Sequence, residues 1–156
     1  MCAGVAVYWR DLPASIVERH ELRDRVTVRC AGAEPEVQFL HRAVPRLIPA
    51  WHEGQLDIYP WGSRGRGTNL PAMGWARLEE VAAGAWGQWH PEPVIIPACF
   101  GYDKGIWFQI KEGIQGILVH DEYGRPCVYM LTEKASHYYQ VMTRHERMPV
   151  LIGDRI

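Results

Sequence analysis

Gln115-Gly116-Ile117-Leu118-Val119, Asp121-Glu122-Tyr123-Gly124-Arg125-Pro126 and Cys127-Val128-Tyr129-Met130-Leu131-Thr132 follow one another almost without a break. Two apolar runs rich in β-branched and aromatic residues flank a segment of charge, glycine and proline. That is the pattern of two strands joined by a turn. Working outward, residues 94–96 and 105–110 read as further strands, as do 4–9, 37–40, 47–51 and 56–59. Pro49, interrupting 47–51, suits an edge or a bulge, and His52-Glu53-Gly54-Gln55 suits a turn. Helical spacing is confined to three short stretches: 12–22, with Pro13 and Ser15 near its start, then 77–81 and 135–142. The expectation is an α+β fold over residues 1–156 as one domain. It consists of a mostly antiparallel sheet, curled into a partial β-barrel, with a few short helices.

Composition narrows the function classes. Seven Trp, seven Tyr and three Phe exclude a disordered chain. A chain of 156 residues buries roughly two-thirds of its unfolded surface. No uncharged apolar run approaches the roughly 20 residues of a membrane-spanning helix. The first residues lack the basic start of a signal peptide, and Arg10-Asp11 follow too soon for one. These observations lead to the expectation of a cytoplasmic, monomeric protein without a membrane partner. Seventeen Lys+Arg against 18 Asp+Glu give a net charge of −1, which excludes a polyanion-binding surface over the whole molecule. Any nucleic-acid site is therefore a local patch. Lysine is present only at 104, 111 and 134, so the positive charge is nearly all arginine, the residue of bidentate phosphate contacts.

Four cysteines, Cys2, Cys30, Cys99 and Cys127, show no C-x-x-C spacing, and the histidines show no H-x-x-x-H or H-E-x-x-H. Neither a metal nor a cofactor is expected. Cys30, Cys99 and Cys127 read as buried, inert thiols. Cys2 differs in kind, because removal of Met1 gives it an α-amine and a thiol on adjacent carbons. His145, in Arg144-His145-Glu146-Arg147-Met148-Pro149, reads first as part of a solvated turn with ion pairs and second as a general acid/base, since histidine titrates near neutrality. Asp103, directly after an apolar run, reads as a hairpin turn residue. Arg64 and Arg66, set among glycines after Trp61, fit a plain surface loop, or one that wraps phosphates while the indole stacks a base.

Four blocks together resemble the SOS response-associated peptidase (SRAP) family of abasic-site DNA-crosslinking proteins. Met1-Cys2 opening into a strand is similar to the family's Met-Cys-Gly-Arg start. Pro60-Trp61-Gly62 followed by Trp75-Ala76-Arg77-Leu78-Glu79 is similar to its W-G stretch and N-A-R-x-E. Ile96-Pro97-Ala98-Cys99-Phe100-Gly101-Tyr102-Asp103 is similar to I-P-A-D-G-F-Y-E. The segment from Val128 through His145-Glu146-Arg147-Met148-Pro149-Val150 is similar to the family's strand-T-x-A stretch ending H-D-R-M-P-V. The chain departs from the family at Asp103, where the family has Glu, and at Trp75, where it has Asn, with Asn69 a substitute in the preceding loop.

The resemblance implies a DNA-damage function in the SOS response and in DNA repair. Its partner is single-stranded DNA carrying abasic sites, captured covalently through Cys2 after Met1 is removed, either by the peptidase (hydrolase) activity in the family's name or by a housekeeping aminopeptidase. It implies Cys2, Asp103, His145 and Asn69 as catalytic residues, Arg77 beside the sugar and phosphate, and Arg64, Arg66 and Trp61 along the flanking strand. Two other classes fit the residues alone: a cysteine hydrolase using Cys2 or Cys99 with His145, and a non-enzymatic protein- or nucleic-acid-binding module.

Overall fold

The computed structural model describes residues 1–153, and statements of what the molecule contains refer to these. The strands are β1 (Gly4–Tyr8), β2 (Val26–Thr27), β3 (Glu36–Leu40), β4 (Leu47–His52), β5 (Gln55–Pro60), β6 (Trp75–Arg77), β7 (Glu92–Ile96), β8 (Phe100–Asp103), β9 (Ile106–Gln109), β10 (Ile114–His120), β11 (Pro126–Lys134) and β12 (Arg147–Pro149). The α-helices are α1 (Ala14–Arg19), α2 (Leu78–Ala82) and α3 (His137–Thr143). The class is α+β with mostly antiparallel pairing, as the sequence indicates.

One sheet runs β2-β3-β1-β8-β9 and the other β12-β11-β10-β7-β4-β5, with β6 lying parallel to β11. The second sheet curls. The amide of Gly62, just past β5, donates to Val128 O at 2.7 Å, and Trp61 bridges Val128. This single bridge does not grow into a ladder, so the sheet curls without closing into a barrel. Pro49 lies inside the strand order, not at an edge. The ladder between β4 and β7 is only the pair Trp51↔Ile95, so Pro49 withholds its missing N–H from a side that has no pairing there.

Alternation along β10 and β11 explains why these strands are apolar on both faces. Ile114, Leu118, Val128 and Met130 point into a core shared with Val5, Phe39 and Ile48, and so with the first sheet. Ile117, Val119, Cys127, Tyr129 and Leu131 point the other way, into a second cluster with Leu70 and Trp86. The segment after β5 covers this outer face, and Tyr129 Oη donates to Pro71 O at 2.8 Å. Trp86 packs edge-on against Tyr129 with ring centroids 4.8 Å apart.

The first and third helices are shorter than their sequence signals. The helical spacing over 12–22 yields only α1, burying Ile16 and Val17, because Glu21 turns left-handed at φ 53° and starts a separate 3-10 turn. In α3, Ser136 caps the first turn, its Oγ accepting from the Tyr139 amide at 3.2 Å. That cap fixes the phase of the helix. Tyr139 is buried and Tyr138 is exposed.

Candidate functional site

The N-terminus enters the middle of the first sheet. Beyond Met1, the peptide unit joining Cys2 to Ala3 is held on both sides. The Ala3 amide donates to Tyr102 O at 2.7 Å, and the Trp75 indole N–H donates to Cys2 O at 2.9 Å. Ala3 O in turn accepts from the His41 amide at 2.9 Å. The Cys2 side chain is fully buried, and its S–H donates to Gly4 O at 3.2 Å. Burial pushes this thiol up to about 12 from an ordinary 9.0, so it is held as the neutral S–H.

Asp103 closes β8 immediately before the two-residue turn Lys104-Gly105, whose φ angles are 46° and 81°. It is therefore both a hairpin residue and a buried carboxylate, 1% exposed. Tyr139 Oη donates to its Oδ2 at 2.6 Å, and His145 Nδ1 lies 2.8 Å from Oδ1. The Met1 amine stands 2.5 Å from the same His145 nitrogen and 3.6 Å from Asp103 Oδ2. Nδ1 has one position for hydrogen or lone pair, so it serves the amine or the carboxylate at a given moment. Desolvation holds the Met1 amine below its ordinary 8.0, partly offset by the Asp103 charge, which raises its uncharged fraction at neutral pH. Burial also pushes the Tyr139 hydroxyl far up, keeping it a donor.

His145 does not sit in a solvated turn. It follows α3 after Arg144 caps the helix in a left-handed conformation (φ 59°), its amide donates to Thr143 Oγ1 at 3.2 Å, and its ring borders a cleft of about 430 Å³. Met1, Met73, Trp75, Arg77 and Arg147 line the same cleft. Arg147 is committed elsewhere, paired with Glu79 at 2.6 Å and donating to Thr132 O at 2.7 Å, whereas Arg77 is exposed.

Cys2, Asp103, His145 and Arg77 thus converge. Four other sequence candidates do not join them. Asn69 is occupied by a neighbouring indole: Trp89 Nε1 donates to its Oδ1 at 3.3 Å, and its own amide donates to Glu122. Asn69 is therefore no substitute for a side chain at Met1. Trp61 is 1% exposed, with Nε1 donating to Gly74 O at 2.9 Å, so it offers no face on which a base could stack. The glycines after it signal a surface loop, but the curl of the sheet carries the indole inward. Arg64 and Arg66 are exposed and line a separate groove of about 470 Å³ with Arg46 and Arg125.

Sequence reasoning missed Tyr139 and Trp75. A tyrosine pair after a serine carries no mark of which ring turns inward, and the three-residue β6 gives no periodicity to read. Among the cysteines, Cys30 is exposed, contrary to expectation, while Cys127 is buried and Cys99 half-buried with its S–H on Ala6 O at 3.0 Å. One group of metal-ligating type among the described residues, His52, Glu53 and Glu92, brings its ligand atoms within 4.8 Å of one another at the β4–β5 turn. Its two carboxylates are exposed and it lines none of the cleft at Met1. No helix among the described residues is long and apolar enough to cross a membrane.

The buried thiol makes alkaline stability a direct readout of the site. An unfolded Cys2 ionises above pH 9, but the folded one does so only near 12, so the stabilisation is complete below 9 and is lost as pH rises towards 12. The loss is about 1 kcal/mol per pH unit. Urea midpoints of the wild type are expected to fall between pH 9 and 11, and Cys2→Ala should flatten that fall. Parallel curves for the two proteins would mean that water reaches the sulfur.

Comparison with protein-family models, with curated proteins and with solved structures gives no significant match to this chain.

Proposed function

We propose that the chain captures abasic sites in single-stranded DNA through Cys2 once Met1 has been removed. The observation that carries this reading is the seat of the N-terminal amine, beside a buried carboxylate and an imidazole and one residue from a buried thiol. Loss of Met1 draws the amine back by one residue, about 3.5 Å. The distance vacated suits an aldehyde oxygen between the new amine and the Asp103–His145 pair.

The steps balance without a cofactor. The neutral Cys2 amine attacks the open-chain aldehyde carbon, and the nitrogen gives up a proton. That proton reaches the former aldehyde oxygen to give the carbinolamine, whose hydroxyl is protonated and leaves as water while the nitrogen loses its remaining proton, giving an imine. The Cys2 sulfur then bonds to the imine carbon while its proton goes to nitrogen, closing a five-membered thiazolidine. Asp103 is placed to take the first proton and His145 to supply the second. A thiol held neutral makes the amine the first attacker and the sulfur the second. It also weighs against a cysteine hydrolase: neither Cys2 nor Cys99 hydrogen-bonds an imidazole among the described residues, and burial pushes the Cys99 thiol up to about 11.

Incubating Met1-processed protein with a single-stranded oligonucleotide carrying one abasic site, followed by denaturing electrophoresis, tests the reading. Absence of a heat-stable adduct would refute it. Intact mass spectrometry fixes whether Met1 is removed.

The groove bearing Arg46, Arg64, Arg66 and Arg125 is the proposed track for the flanking strand, a local patch compatible with a net charge of −1. Replacing Arg64 and Arg66 with Ala is expected to flatten the plot of log affinity against log salt by about 0.7 to 1.4, one or two single-strand phosphate contacts. An unchanged slope would place the strand elsewhere.

A further inference from the structure

We infer that Trp75 is a positioning residue for the Cys2 amine, its indole N–H locking the peptide unit from which that amine projects. The inference rests on the reading of Cys2 as the capturing residue. Ala3 and the residues after it take their direction from the sheet. Residue 2 is the first whose carbonyl has no strand partner, and its peptide plane would rock about the single bond from the Ala3 amide to Tyr102 O. The Trp75 indole supplies the opposite bond, at 2.9 Å to Cys2 O. The plane is thus held at both ends and the thiol is tied to Gly4 O, which fixes residue 2 directly behind Met1, and Met1 and Trp75 line the same cleft.

The indole is rigidly mounted. Trp75 pairs with Met130 in the β6–β11 ladder, and its ring packs on His41 at 4.5 Å between centroids, with Trp61 at 6.1 Å. Trp61 in turn anchors the preceding residue through Gly74 O. Gly74 is the only residue type this mounting admits, since a Cβ there would lie 2.7 Å from the His41 ring and 2.8 Å from Trp61 Nε1. Burial, with Arg46 and Arg64 nearby, holds His41 down to about 4, so the plate behind Trp75 is an uncharged imidazole over the neutral range.

The test compares processed wild type with processed Trp75→Phe, which keeps an aromatic ring and loses the N–H. Two aldehydes are used: glyoxylate, followed by mass spectrometry, and abasic single-stranded DNA. The saturating rate of thiazolidine formation is expected to fall about three- to tenfold with both, the kinetic equivalent of one neutral hydrogen bond. The DNA concentration at half-saturation should not move. Equal or faster capture by Trp75→Phe overturns the inference, as does a loss carried wholly by half-saturation. If wild type takes glyoxylate and refuses abasic DNA, the capture reading fails while the glyoxylate rates still decide the role of Trp75. Should Trp75→Phe not fold, wild-type NMR decides. The Trp75 Hε1 resonance is expected to resist solvent exchange and to shift when glyoxylate closes on Cys2, and free exchange overturns the inference.

Discussion

A Cys2→Ala variant freed of Met1 is expected to yield no heat-stable adduct with abasic single-stranded DNA. The variant keeps an α-amine, an aldehyde partner and the Asp103–His145 pair, so an imine still forms. What it lacks is the sulfur that closes the ring, and an imine hydrolyses during denaturation. Borohydride added before denaturation should therefore restore an adduct in the variant by reducing C=N to an amine, whereas the wild type needs no such help. A variant that crosslinks as stably as wild type without borohydride would eliminate the thiazolidine. Alanine at position 2 also removes the S–H bond to Gly4 O, a small change in packing beside a complete loss of product.

The next largest effect belongs to His145. Its ring lies between the Met1 amine and Asp103, partly exposed to the cleft, so it is the group in the cluster with access both to a bound sugar and to water. His145→Ala is expected to slow adduct formation on the order of 100-fold, the size of a lost acid or base. Folding should survive, because the half-buried ring leaves the core intact and Asp103 keeps its bond from Tyr139. Matched circular dichroism and matched DNA affinity would assign the loss to proton transfer. Retention of the wild-type rate would remove His145 from the mechanism and leave Asp103 and solvent as the shuttles.

Much of the fold is readable from apolar runs, since β7, β9, β10 and β11 each carry three or more consecutive large apolar residues. The opposite fates of the two faces of β10 and β11 are not readable. Both faces are hydrophobic, and only the covering segment around Pro71 and Trp86 makes the outer one a core. β6 escapes sequence reading for a related reason. It is three residues long and its partner, β11, lies far along the chain, so no local periodicity marks it.

The site divides in the same way. Cys2, Asp103 and His145 stand out because their chemistry is particular. Asn69 fails because a loop position says nothing about which neighbour will claim its amide, and Trp89 claims it. Trp61 fails because glycine-rich surroundings report on backbone freedom and not on the direction of the preceding ring. Trp75 and Tyr139 act through one N–H and one O–H each, and such roles exist only once the tertiary structure has brought an acceptor to them.

The placement of β1 carries a mechanical consequence. Cys2 stands at the head of a strand flanked on both sides, by β3 over five residue pairs and by β8 over three. Antiparallel ladder bonds run perpendicular to their strands. Tension applied at Cys2 along β1, as DNA captured there in the way proposed would apply, therefore loads those bonds sideways and together, not one after another as a peeled edge strand would. A load borne at residue 2 would be carried in shear.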